Sequence, residues 1–288
     1  MKKILICLLL CVTLFGCSSN TAKLQDGSEV IWKSKTKKYT KNDLFNDMKG
    51  SDYSSVLLID MIEKIGEKEG IDTATFRSEA EAEIQDMKNQ GYESYIAYYY
   101  GSEENYIQNS IISKIYNKLL EIEATNNFQE YIDKFVPYKA QIVYFSDEAT
   151  ANKFIEQVNN NEGEFEELAT NNGYSLSASE QIYTDSSDVP VEVKEAILSM
   201  KDGDLSSIIT SSTYQTSSDG ESTITPRYYV IKLISKDANN FKDEFIEELK
   251  NSLLDQTEVT NKYIEKYDIR MHDQASYDYM HANFEAVK

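Results

Sequence analysis

Histidine is almost missing from this 288-residue chain: there are two, His272 and His281, in a polar C-terminal stretch. A zinc or haem site needs several converging ligands, so no metal centre is expected. Cysteine is equally scarce, with Cys7, Cys11 and Cys17 all near the N-terminus. The body of the chain therefore holds no disulfide framework and no thiol nucleophile. With 3 Pro and 11 Gly there are few breakers, which favours long helices over a loop-rich all-β fold. Positive charge is short as well. Lys+Arg is 29 against 49 Asp+Glu, a net charge of −20, and a nucleic-acid binder needs clustered cations that this composition lacks. No Gly-rich phosphate loop or nucleophile elbow is present. Ser34 and Lys37 form a Ser-x-x-Lys without companion motifs, and Asp202-Gly203-Asp204 lacks the rest of a calcium loop. No cofactor and no catalytic residue is expected. What the chain does have is 21 Tyr, 41% apolar and 27% charged residues, the balance of a folded globular protein.

Lys2 and Lys3 precede a run from Ile4 to Phe15 that is apolar except for Thr13. A bilayer span needs about 20 residues, so the run is too short to cross and suits a signal-peptide core. Leu14-Phe15-Gly16-Cys17 follows, then Ser18, Ser19 and Asn20. This order resembles a bacterial lipobox, whose cysteine is diacylated before cleavage ahead of it. Cys17 would be the only mature cysteine and the lipid attachment point. Two or more acyl chains suffice for stable anchoring. The expected location is the extracytoplasmic face of the cell membrane, with Thr21 to Gly27 as a polar tether.

The body opens with a short strand at Val30–Trp32. A helix starts near Thr40 with Leu44, Phe45 and Met48, and a second carries Val56, Leu57, Ile59, Met61, Ile62 and Ile65. Asp72 and Thr73 can cap a third, with Phe76, Ala80, Ile84 and Met87 on one stripe. A Tyr-rich helix runs from Tyr92, broken near Gly101, into Ile111, Ile115 and Leu119. Character changes at Pro137. Ala140–Phe145 reads as a buried strand, and Ser146 or Asp147 caps a helix with Ala151, Phe154, Ile155 and Val158 inward. Phe165–Ala169 and Val193–Met200 are further helices, the latter ended by Gly203. Leu205–Thr210 and Tyr228–Ser235 are strands joined by a Ser/Thr-rich loop, Ser211–Pro226. The stripe Phe241, Phe245, Ile246, Leu249 and Leu253 cannot fold alone, and is expected to pack on the N-terminal helices. The tail after Tyr267 reads as polar and frayed.

Several segments resemble motifs of the PrsA-type foldase lipoproteins, relatives of SurA-type and parvulin prolyl isomerases. Lys38-Tyr39-Thr40-Lys41-Asn42-Asp43-Leu44 is similar to that family's "ItkdeLy" opening. Tyr131 to Phe145 resembles the lead into "vkArHILV", and Gly163 to Ala169 resembles "GadFaeLA". Ala196 to Ser206 is similar to "AafkLkkGeiS", and Tyr228–Leu233 to "GyHIIKL". The resemblance implies an α+β chain: a discontinuous helical chaperone domain, SurA N-terminal-like, with an inserted parvulin-like (FKBP-like) domain. The expected division is a signal at 1–16, a lipidated Cys and tether at 17–27, helical domain at 28–136 and 237–270, parvulin-like domain at 137–236, and a polar tail at 271–288.

The family's two core histidines fall on Ile142 and Tyr229, its groove phenylalanine on Val193 and a later aromatic on Leu198. Its Gly-rich segment has no counterpart near Ser179–Thr184. Prolyl isomerisation has a barrier of about 20 kcal/mol, which such a site lowers with an apolar groove and a polar network. Here Ile142, Val193, Leu198, Met200 and Tyr229 would keep a peptide-binding groove without that network, giving weak or no isomerase activity. These same apolar residues also read simply as core. Tyr95, Tyr98 and Tyr99, flanked by Tyr92 and Tyr100, are candidates for a chaperone cleft, because tyrosine offers contact area at low rotamer cost. Plain helix packing is the other reading. The expected role is a foldase or holdase for unfolded exported polypeptides, its acidity favouring cationic clients, with no nucleic-acid partner and the oligomeric state open. A solute-binding lipoprotein of a transporter, or a structural or adhesive surface lipoprotein, are the alternatives.

Overall fold

The computed structural model describes residues 25–34, 37–48, 52–216 and 222–288. The expected signal, Cys17 and the start of the tether lie outside the described residues. In chain order the strands are β1 (Val30–Lys33), β2 (Lys38–Thr40), β3 (Tyr138–Phe145), β4 (Gln181–Tyr183), β5 (Ile209–Thr216) and β6 (Ser222–Ser235). The helices are α1 (Lys41–Met48), α2 (Asp52–Lys68), α3 (Thr73–Asn89), α4 (Glu93–Tyr100), α5 (Glu103–Asn126), α6 (Phe128–Phe135), α7 (Glu148–Asn159), α8 (Phe165–Asn171), α9 (Val191–Ser199), α10 (Lys242–Glu248), α11 (Gln256–Lys266) and α12 (Gln274–Asn283). The fold is α+β. Contacts divide it into two units, one ending at Ile122 and resuming over Leu254–Lys288, the other Glu123–Leu253. Among the described residues no helix is long and apolar enough to cross a membrane.

The first unit begins with β1 and β2 paired antiparallel, Val30 opposite Thr40. Thr40 then caps α1. Its Oγ1 accepts from the Asp43 amide at 3.3 Å, while Asp43 Oδ2 accepts from the Thr40 amide at 2.7 Å, a reciprocal capping box. Bonds from the Thr40 hydroxyl and amide hold the Asp43 carboxyl below its usual range. Asp72 caps α3 as expected, accepting from the Ala74 and Thr75 amides at 3.1 and 3.3 Å. Gly101 takes φ +74, open to a residue without Cβ, and separates α4 from α5. The core joins Ile62 and Ile65 of α2, Ala80 and Ile84 of α3, and Ile111, Ile115 and Leu119 of α5. Gly66 lets α2 approach α5 closely, since a Cβ there would lie 3.2 Å from Ile115 Cγ2.

The tail is not frayed. Helices α11 and α12 complete this core with Val259, Ile264, Met280, Phe284 and Val287. The Lys266 ammonium and Tyr267 hydroxyl donate to Glu69 Oε1 at 2.5 and 2.6 Å. Residues 271–288 thus belong to the core of the unit. Their polarity misleads because three large apolar side chains, Met280, Phe284 and Val287, are buried among polar ones.

The second unit is built on a sheet of order β4-β3-β6-β5, antiparallel throughout. β3 and β6 pair in a register that sets Ile142 opposite Ile231, Val143 opposite Val230 and Tyr144 opposite Tyr229. Alternation sends Ala140, Ile142, Tyr229, Ile231 and Leu233 to one face, where α9 packs through Val193 and Ile197. Val143, Phe145 and Val230 go to the other, under α7 and α8 with Ala151, Phe154, Phe165 and Leu168. Asp147 caps α7 by accepting from the Thr150 amide at 2.8 Å. Lys236 closes α9, donating to the carbonyls of Leu198 and Met200 at 3.2 and 2.6 Å.

Two expectations change here. The segment Ser211–Pro226 is mostly strand, because β5 and β6 continue as a long hairpin with Ser212 opposite Pro226 and Thr216 opposite Ser222. Threonine favours strands, and its weight in this run outdoes the turn signal. The stripe Phe241–Leu253 meets the last of the expected N-terminal helices, α6, with the Phe245 ring 5.9 Å from Phe128, and both fall in the second unit, where Lys139 also pairs with Glu244 at 2.9 Å. A π turn at Leu249–Leu253 ends the α10 run. The second unit accordingly extends past both expected edges, 137 and 236, to Glu123 and Leu253.

Val136, the residue after α6, sits at φ 46, ψ 59, in the left-handed region. A β-branched residue there is strained by about 1–2 kcal/mol. Glycine removes the clash and returns part of the gain as chain entropy. Val136→Gly is therefore expected to stabilise the protein by about 0.5–1 kcal/mol, read as a raised midpoint in urea; a lowered midpoint would contradict the strain.

Candidate functional site

The residues singled out for a groove come from three elements of the second unit: Ile142 from β3, Tyr229 from β6, and Val193 from α9, which ends at Met200. The structure brings these four together. They are buried with Tyr138, Ala140, Ile197, Ile231 and Leu233 in one cluster. Leu198 is left out, on the outer face of α9 with 72% of its surface exposed. Helical spacing explains the split, since 193, 197 and 200 share the inward stripe and 198 lies across from it. Ile142 and Tyr229 thus fill the space between sheet and helix.

The cluster holds little polar chemistry. Tyr138 stacks on Tyr183 with centroids 5.7 Å apart and planes at 15°. Burial pushes the Tyr183 phenol up to about 12 and the Tyr138 phenol well above its usual range. Among the described residues the buried Tyr138 hydroxyl has no hydrogen-bond partner. At the adjoining end of the sheet, Arg227 lies 4.2 Å over the Tyr144 ring, and Tyr144 meets Tyr229 and Tyr174 at 5.4 and 5.6 Å.

The tyrosines of the first unit behave differently. Ile96 is the buried anchor of α4, and Tyr92, Tyr95, Tyr98 and Tyr99 are exposed around it. Tyr98 keeps 81% of its surface in solvent and Tyr99 64%. The rings touch in series. Tyr98–Tyr99 centroids are 4.8 Å apart, Tyr99–Tyr95 4.5 Å, Tyr95–Tyr100 6.4 Å and Tyr100–Tyr106 4.9 Å. Plain helix packing does not describe side chains this exposed, and the expected cleft is instead an outward-facing track. Its inner end, Tyr100 and Tyr106, borders a cleft of about 390 Å³ also lined by Glu83, Asn109, Ser113 and Lys114.

Tyr106 was not anticipated. It lies beyond Gly101 on α5, and only the turn at Gly101 returns it to the other rings. The Tyr106 hydroxyl donates to Glu83 Oε2 at 3.1 Å, and burial together with this bond holds its phenol above the usual range. Lys114 donates to Glu83 and Glu79 at 3.1 and 2.8 Å. These bonds fix the inner end of the track while the outer rings stay free.

His281 stacks on Tyr277 at 4.9 Å, with Nδ1 3.2 Å from the Val287 carbonyl. Among the described residues no three His, Cys, Asp or Glu side chains converge as metal ligands.

No protein-family model and no curated protein matches the chain. Among solved structures it is similar to the foldase protein PrsA from Streptococcus pneumoniae, at 18% identity and TM-score 0.44, covering 89% of this chain and 100% of that one. It is also similar to PrsA from Lactococcus lactis (17%, TM-score 0.41, 91% and 100% covered) and to the peptidylprolyl isomerase PrsA from Bacillus cereus (16%, TM-score 0.43, 88% and 99% covered). The likeness spans most of each chain, and at such scores it assigns no activity to this one.

A buried hydroxyl with no partner costs about 1–3 kcal/mol. Tyr138→Phe removes it and leaves the ring in place, so the variant is expected to be more stable by about 1 kcal/mol in urea unfolding. A loss of stability would mean the hydroxyl is satisfied in solution.

Proposed function

We propose that this chain is a lipid-anchored extracytoplasmic holdase, which takes unfolded exported polypeptides on the tyrosine track of α4 and releases them without ATP. The observation that carries this reading is the exposure of Tyr92, at the cap of α4, and of Tyr95, Tyr98 and Tyr99 along it. Contiguous exposed aromatic area is expensive to leave in water and marks an interaction surface. Tyrosine suits clients of no fixed sequence, because the ring packs on apolar side chains while the hydroxyl stays hydrated. The lipobox-like run ending at Cys17 would hold this surface beside the membrane, where exported chains emerge unfolded.

In this reading the second unit does not isomerise proline. Lowering a barrier of about 20 kcal/mol needs polar groups placed around the twisted amide. Ile142, Val193 and Met200 offer none, and each is buried.

The test is aggregation of a denatured secreted protein in the presence of the chain from Ser18 onward. The wild-type chain is expected to suppress aggregation at near-stoichiometric amounts. Tyr95→Ser, Tyr98→Ser and Tyr99→Ser combined should weaken it about fivefold or more, since each lost aromatic contact is worth about 0.5–1.5 kcal/mol. These side chains are exposed, so circular dichroism should be unchanged. Unaltered suppression by the triple variant would refute the track as the binding surface. In a proline-limited refolding assay the chain should leave the uncatalysed phase, tens of seconds long, within about twofold; a marked acceleration would restore the isomerase reading. Cys17→Ser should move the protein out of the lipid-labelled membrane fraction.

A further inference from the structure

We propose that the tyrosine track selects cationic segments, those bearing arginine or lysine beside apolar residues, by seating the cations on its ring faces. This rests on the holdase reading and names the class of client. Residues 71–110 carry Asp72, Glu79, Glu81, Glu83, Asp86, Glu93, Glu103 and Glu104 against Arg77 and Lys88 alone. Both of those cations are already engaged, Arg77 with Glu104 at 3.0 Å and Lys88 with Glu103 at 2.7 Å. The nearby Lys114 is held between Glu79 and Glu83. The helices around the track therefore present an unneutralised acidic field, which draws cations and repels acidic segments over about a Debye length, roughly 8 Å at physiological salt.

The rings supply the short-range half of the selection. Elsewhere this chain covers its own tyrosine faces with cations. Arg227 lies 4.2 Å from the Tyr144 centroid, and Lys266 lies 5.4 Å from both Tyr263 and Tyr267. Among the described residues no cation of the chain sits over Tyr92, Tyr95, Tyr98 or Tyr99. Four exposed tyrosines, three of them in contact with one another, thus stand in an acidic surround with no cation of the chain among the described residues over their ring faces. A guanidinium or ammonium is attracted to such a face, and the hydrocarbon stem behind it covers the rest of the ring. A purely hydrophobic patch would lack this preference for charge sign.

The experiment measures fluorescence anisotropy of labelled extended peptides against the chain from Ser18 onward. The probes share one apolar sequence and carry arginine, glutamine or glutamate at the same spaced positions. The arginine peptide is expected to bind about fivefold or more tighter than the glutamine peptide, from two or more cation–π contacts. The glutamate peptide should be weakest, and added salt should narrow the spread. Tyr98→Leu with Tyr99→Leu keeps apolar area and removes the ring faces. This pair should erase most of the arginine advantage while the glutamine peptide still binds, and Tyr98→Phe with Tyr99→Phe should retain it. Equal binding of arginine and glutamine peptides, or an arginine preference that survives the leucine pair, overturns the proposal and leaves the holdase reading standing. Failure of all three peptides to bind overturns both.

Discussion

The register between β3 and β6 is the constraint on which the second unit depends. Both faces of these central strands are covered, so every side chain from Ala140 to Phe145 and from Tyr229 to Leu233 has an assigned side. A slip by one residue would exchange the Ile142 set for the Val143 set and drive tyrosines under α7 and α8. Each large aliphatic side chain buried here contributes about 1.5–3 kcal/mol, so the correct register is strongly favoured. The same constraint governs what the face beneath α9 can do. A polar network at 142 and 229 would need space, partners and water, whereas close packing against Val193 and Ile197 excludes all three. Filling the face with Ile142, Ile231, Val193 and Ile197 stabilises the unit.

The first unit solves a different problem, holding a short helix steady while most of that helix faces water. Ile96 is the buried residue of α4, and one anchor is weak tenure for eight residues. The inner end of the track supplies the remainder, where Tyr100 meets Tyr106, whose hydroxyl is tied to Glu83 of α3. Gly101 makes this possible by ending α4 with a positive φ, so that α5 leaves in a new direction and carries Tyr106 back toward the track. Rigid scaffolding comes from the C-terminal return, where Ile264, Met280 and Phe284 close the core that α2, α3 and α5 leave open.

Much of this was legible in the residues, and the failures have physical causes. β3, the Asp72 and Asp147 caps, the break at Gly101 and the inward stripe of α9 follow from local rules, and they occur where those rules put them. The tail did not read correctly because its fully buried apolar side chains are few, Met280, Phe284 and Val287. Their spacing is helical, and composition averages that signal away. The hairpin was hidden by serine and glycine around a threonine-rich strand, since sheet formation there depends on a partner rather than on local preference. The destination of Phe245 was undecidable locally. An apolar stripe announces that a helix must pack, and only the aromatic contact with Phe128 says where. Ile142, Val193, Met200 and Tyr229 lie together and Leu198 lies apart; the groove and core readings both stood in the residues, because sequence does not distinguish a lined groove from a filled one.

Exposure and burial thus divide the aromatic residues by purpose. Tyr138 and Tyr229 are buried against the sheet, whereas Tyr98 and Tyr99 stay largely in solvent. A residue kept large and apolar where folding does not need it is paid for by something outside the fold. A tyrosine track also suits a holder that must let go. Each ring contact is worth about 0.5–1.5 kcal/mol, so several together bind a flexible segment for a time set by dissociation, and partial detachment exposes the segment to its own folding. A deep groove with imidazoles would trade this indifference to sequence for chemistry at one bond. In the holdase reading Ile142 and Tyr229 are buried and packed, and the surface that would meet a client is the one that burial leaves free.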